Sequence, residues 1–91
     1  MTYTIKFTGQ FRKDYKLAIK RGRDMGLIVD VIRRLANGEI LEARFRDHAL
    51  VGDYAGQREC HITPDWLLVY YIDAEVLVLT LTRTGSHSDL F

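Results

Sequence analysis

The run Leu67-Leu68-Val69-Tyr70-Tyr71-Ile72 is apolar without alternation. A strand sends successive side chains to opposite faces, so such a run needs cover on both sides and belongs in the middle of a sheet. No other segment constrains the fold as tightly. Its ends are punctuated. Thr63-Pro64-Asp65-Trp66 reads as a turn with Pro64 pre-set for the second position, and Asp73-Ala74 turns the chain again. The 91 residues suit one domain, 1–91, with a single core.

Around this strand the periodicities change. Thr2 to Phe7 alternates and predicts a short strand. Thr8 or Gly9 caps the next element. From Gln10 to Arg21, Phe11, Tyr15, Ala18 and Ile19 recur at helical spacing, and Gly22 ends or bends that helix. Met25 to Ala36 predicts a second helix, closed by Asn37-Gly38. Glu39 to Leu50 has no clean period and reads mostly as loop. Tyr54 to Ile62 predicts a strand with Arg58, Cys60 and Ile62 on one face and Glu59 and His61 on the other. Val76 to Arg83 is the last strand. The expected architecture is α+β, in the order β-α-α-β-β-β. A helical hairpin covers one face of an antiparallel sheet, and the second face is left as the place for a shallow groove.

Composition excludes several classes. One cysteine, Cys60, permits no intrachain disulfide and reads as a small buried apolar group. No apolar run reaches the roughly 18 residues of a membrane span, and MTYTIKFTGQF lacks a signal-peptide core. A cytoplasmic protein with no membrane partner is expected. The formal charge of +1 does not by itself mark a nucleic-acid binder. Arg12, Lys13, Lys16, Lys20, Arg21 and Arg23 crowd one early segment, and two readings stand for it: a solvated helix face, or a phosphate-binding one.

The three histidines, His48, His61 and His87, all fall in loops or at strand ends. In a meander the end of one strand neighbours the start of the next. One edge of the sheet therefore gathers His61, Asp65, Trp66, Arg83 and His87. Such a set suits RNA cleavage. A base takes the 2′-OH proton, an acid protonates the leaving 5′-oxygen, and a guanidinium meets the charge on phosphorus oxygens. Trp66 and Phe91 are the candidates for stacking on bases. Plainer readings stand beside these: Asp65 as a turn residue, Trp66 as core, Arg83 as the partner of a carboxylate, Phe91 as a frayed end. Three histidines and an aspartate are also a zinc-type donor set, but no matching ligand spacing is present. No metal or cofactor is expected.

The motifs Asp47-His48-Ala49-Leu50-Val51-Gly52, Arg58-Glu59-Cys60-His61-Ile62-Thr63-Pro64-Asp65-Trp66 and Arg83-Thr84-Gly85-Ser86-His87-Ser88-Asp89-Leu90-Phe91 resemble those of YafQ-type toxins in the RelE/ParE toxin–antitoxin superfamily. The resemblance covers almost the whole chain. It implies a RelE-like, microbial-RNase-like fold and a ribosome-dependent mRNA endonuclease held inactive by a cognate antitoxin. The antitoxin complex, not the toxin alone, would bind operator DNA. It implies site residues His48, His61, Asp65, Trp66, Arg83, His87 and Phe91. His87 would be the general acid and Arg83 the transition-state cation, with His48, His61 and Asp65 competing for the base and orienting roles. Many such toxins are more basic, so Lys13, Lys16 and Lys20 of the first helix would supply the ribosome contacts. Superfamily members that poison gyrase generally lack this histidine–aspartate cluster, and a degenerate toxin kept as a binding partner would not need it.

Overall fold

The computed structural model describes residues 2–91. Its elements are β1 (Thr4–Phe7), α1 (Gly9–Lys20), α2 (Met25–Ala36), β2 (His48–Ala49), β3 (Arg58–Thr63), β4 (Trp66–Asp73), β5 (Val78–Gly85) and α3 (His87–Leu90). Single 3₁₀ turns occupy Ala43–Phe45 and Gly52–Tyr54.

Local chemistry sets the boundaries. The Thr8 hydroxyl accepts from the Phe11 amide at 3.0 Å and starts α1. Asp24 does the same for α2 through the Gly26 amide at 3.1 Å. Gly22 and Gly38 follow the two helices at φ 75° and 77°, a left-handed conformation that glycine adopts without steric cost.

The five strands form one sheet in the order β1-β5-β4-β3-β2. The apolar run is β4, at its centre. Three expectations about the sheet are corrected. β1 joins β5 in parallel, Thr4 opposite Val78 and Phe7 opposite Leu81, so the sheet is mixed rather than antiparallel. The alternation of β1 marks it as a strand but carries no information about the direction of a partner more than 70 residues away. Part of the expected loop 39–50 is ordered. His48 and Ala49 pair with Glu59 and Arg58 as β2, while Leu41 and Phe45 enter the core. The expected strand from Tyr54 begins only at Arg58.

Helices α1 and α2 supply Phe11, Ala18, Ile28, Val31, Leu35 and Ala36 to the core. Cys60, Ile62, Trp66, Leu68, Tyr70, Leu79 and Leu81 meet them from the sheet. On the opposite face Leu67 and Val69 are covered by Leu90 of α3, with Leu50 and Tyr54 packed against them. This second cover is smaller and leaves part of the face open.

Candidate active site

Strand register places the site. His48 pairs with Glu59, Glu59 with Val69, and Val69 with Arg83. Paired residues share a face, so these four stand in a row across the open side of the sheet. Three interstrand steps of about 4.8 Å make the row about 14 Å long. His61, opposite Leu67, begins the next row.

Arg83 reaches this row through a bulge. Val69 pairs with Arg83, but the next residue, Tyr70, pairs with Leu81, so Thr82 is extra. Leu79 and Leu81 face the helices, and strict alternation would send Arg83 the same way. The inserted residue turns it over. The Thr82 hydroxyl, 2.6 Å from Gln57 Oε1 and 2.9 Å from the Val69 carbonyl, ties the bulge down.

At one end of the row, Glu59 is 5% exposed. Its Oε1 lies 3.4 Å from His61 Nε2 and 3.6 Å from His48 Nε2. A buried carboxylate needs donors or positive charge beside it; His61 Nε2 is placed to donate, and His48 Nε2 to do so once protonated. His48 Nδ1 is 2.6 Å from the Arg46 carbonyl. A carbonyl only accepts, so Nδ1 carries the proton and Nε2 is the nitrogen free to gain one. Arg46 takes a left-handed φ of 49° at this corner. His61 Nδ1 is buried and meets no hydrogen-bond partner among the described residues.

At the other end, the Arg83 guanidinium is bound along one edge by Asp14 of α1, Nε to Oδ2 at 2.8 Å and Nη2 to Oδ1 at 3.3 Å. Asp14 chiefly, and Tyr54 more weakly, hold its pKa above the ordinary arginine value against the opposing effect of burial. His87 opens α3 beyond a capping box. The Ser86 hydroxyl accepts from the Asp89 amide, and Asp89 accepts from the Ser86 amide. Hydrogen bonds from Arg21 and then from the Ser86 amide lower the Asp89 carboxyl to about 2. Phe91 is not frayed. Its ring lies 5.1 Å from His87 and 5.4 Å edge-on from Tyr54, centroid to centroid.

The expected cluster is therefore brought together only in part. His48, His61, Arg83, His87 and Phe91 share the open face or its rim. Trp66 does not. It is 1% exposed in the helix-side core, under the Arg23 guanidinium, and has no free face on which a base can stack. Asp65 does not meet the imidazoles either. It is exposed in the turn, where its Oδ1 accepts from the Thr63 hydroxyl at 3.1 Å. Among the described residues the carboxylate against His48 and His61 is Glu59. Lys13, Lys16 and Lys20 line the outward side of α1, with Leu17 and Ile19, and are not brought to the histidine row. Sequence reasoning passed over Glu59, Asp14 and Tyr54. Only Glu59 had a signal, its place on the same strand face as His61.

The family described as the bacterial toxin of type II toxin–antitoxin systems, YafQ, matches residues 3–91. The chain belongs to this family. The mRNA interferase toxin YafQ of Escherichia coli K12 is 40% identical over 88 residues, which is 96% of this chain and 94% of that protein. The toxin in the crystal structure of the E. coli DinJ–YafQ toxin–antitoxin complex superposes with a TM-score of 0.90 at 38% identity, over 100% of this chain and 99% of that one. A metal-bound toxin from Helicobacter pylori superposes with a TM-score of 0.92 at 42% identity, over 99% and 100% of the two chains. These likenesses bear out the α+β, RelE-like fold of the YafQ family. In this chain, no three His, Cys, Asp or Glu side chains among the described residues are spaced to hold a metal ion, and no step is assigned to one.

Proposed function

We propose that this chain, as one domain, is the toxin of a type II toxin–antitoxin pair and a ribosome-dependent endoribonuclease that cuts translated mRNA. The observation that carries this reading is the row across the open face, with a carboxylate-linked histidine pair at one end and Arg83, His87 and Phe91 at the other. A phosphodiester lying above Val69 would have a proton acceptor on one side and a cation and proton donor on the other.

His48, the more exposed of the pair, takes the ribose 2′-OH proton, and the Glu59 carboxylate, held also by the deeper His61, compensates the imidazolium that forms. The 2′-oxygen attacks phosphorus. The outer guanidinium edge of Arg83 meets the developing charge on the phosphorus oxygens. His87 gives its proton to the departing 5′-oxygen, leaving a 2′,3′-cyclic phosphate and a 5′-hydroxyl end. Phe91, half exposed beside His87, offers a face for a base. Asp65, exposed in the turn, acts on the substrate and not on the imidazoles. Lys13, Lys16 and Lys20 are the ribosome-facing cations. The cognate antitoxin is the inhibitory partner, as DinJ is the antitoxin partner of the related E. coli YafQ, and operator DNA is reached only through that complex. Among the described residues no helix is long and apolar enough to cross a membrane, and we assign the toxin to the cytoplasm, where its substrate is.

Mapping mRNA 5′ ends by primer extension in a reconstituted translation reaction tests the proposal. Codon-phased cuts that need ribosomes and vanish with His87→Ala are expected. Cuts without ribosomes would make the protein a free RNase. No cuts by folded protein would redirect the search to a protein target.

A further inference from the structure

Asp14 is a buried carboxylate far along the chain from the residues assigned to catalysis. It is 8% exposed. Besides the two bonds from Arg83, it accepts from the Thr84 amide at 3.1 Å and from Gln10 Nε2 at 3.0 Å. α1 reaches this point because β1 stops at Phe7. Beyond it, the Thr8 hydroxyl donates to the Thr82 carbonyl at 2.9 Å, and α1 takes over the edge of β5.

The geometry of the ion pair is directional. Nε and Nη2 form one edge of the planar guanidinium, and that edge is spent on Asp14. The other edge, Nη1 with the second hydrogen of Nη2, points away from the carboxylate, and it is the pair of donors that two phosphate oxygens would engage, with Tyr54 as the neighbour that also interacts with the guanidinium. An unclamped arginine samples many rotamers on its flexible stem. Catalysis needs its charge held to within about 0.5 Å.

We propose that Asp14 is a positioning residue for RNA cleavage: its carboxylate clamps one edge of the Arg83 guanidinium so that the other edge is presented to the scissile phosphate. This rests on the reading of Arg83 as the group that meets that phosphate. It links the basic helix α1, through one buried side chain, to the reaction centre.

A double-mutant cycle tests it. Wild type, Asp14→Asn, Arg83→Ala and the double variant are compared for codon-phased cleavage of labelled mRNA on ribosomes, at a temperature where melting curves show all four folded. Removing a transition-state donor costs about 10²–10³ in kcat, which leaves a readable rate, and Asp14→Asn should cost less, about 10–10², with KM unchanged. In the Arg83→Ala background, Asp14→Asn should cost nothing further. Folded Asp14→Asn with wild-type kcat would overturn the proposal, as would losses that multiply in the double variant. A rise in KM alone would also count against it, since misplacement of Arg83 is a transition-state defect. Failure of the underlying reading looks different. It would appear as no cleavage by wild type, or as undiminished cleavage by Arg83→Ala.

Discussion

The two faces of the sheet are built from the same strands and have opposite characters. On the helix side, Cys60, Ile62, Leu68, Tyr70, Leu79 and Leu81 are buried against α1 and α2. On the other side, Glu59, His61, Leu67, Val69 and Arg83 lie under a partial cover of Leu50, Tyr54 and Leu90. Residues one step apart along β3, β4 and β5 thus belong to different jobs. Full burial on one face supplies the stability that lets the other keep charged groups half-desolvated, where electrostatic interactions are stronger than in water.

Substitutions that separate the faces test this division. The largest effects should come from the open face. His87→Ala should lower mRNA cleavage by about 10²-fold or more while the denaturation midpoint stays near wild type, and Arg83→Ala should lower cleavage at least as far but also lower the midpoint, because it leaves the buried Asp14 carboxylate without its cation. Loss through unfolding would erase the distinction. On the helix face, Leu68→Ala should cost about 2–5 kcal/mol in denaturant unfolding yet leave cleavage by the folded fraction near normal. Glu59→Gln, buried on the open side, sharpens the comparison because it should register in both measurements. Cleavage should fall less than for His87→Ala, with the loss in kcat rather than in KM. An unchanged kcat would make Glu59 a packing residue only.

Two smaller effects come from titration. Burial first, with the Asp47 and Glu59 carboxylates adding to it, pushes the Cys60 thiol well above its usual range. Cys60 should therefore resist alkylation in the folded protein and react after unfolding. The Asp89 carboxyl sits at about 2, below its usual 3.8. A depressed carboxyl contributes stability that is present above the usual value and is lost as pH falls through the depressed one. The docking of α3 should weaken between about pH 4 and pH 2, read from the Phe91 and Tyr54 ring resonances. Arg21→Ala should move that transition upward, because the Arg21–Asp89 bond at 2.8 Å is its main cause.

Much of the fold was legible because it rests on local rules. Helix α2 runs from Met25 to Ala36 as the spacing of Ile28, Val31 and Leu35 requires, and Cys60 is buried as its strand face implies. The candidate site was legible in its residue types but not in which of them meet. Asp65 and Trp66 sit in the same motif as His61, and motif neighbours read as site neighbours. Along a strand and a tight turn, however, adjacent side chains diverge. Trp66 points to the core, and Asp65 satisfies its own turn.

The amino-acid sequence by itself determined the two long helices, the three long strands to within a few residues, the central place of β4 and the chemistry of the available groups, because periodicity and capping act over a few residues. Tertiary structure alone decided three things: the parallel pairing of β1 with β5, the meeting of Glu59 with both His48 and His61, and the side on which Arg83 emerges. Each depends on contacts between distant segments. The last depends on a single inserted residue, Thr82. With a side-chain period of two, one extra residue reverses a face, and no local pattern in Leu79 to Gly85 announces it.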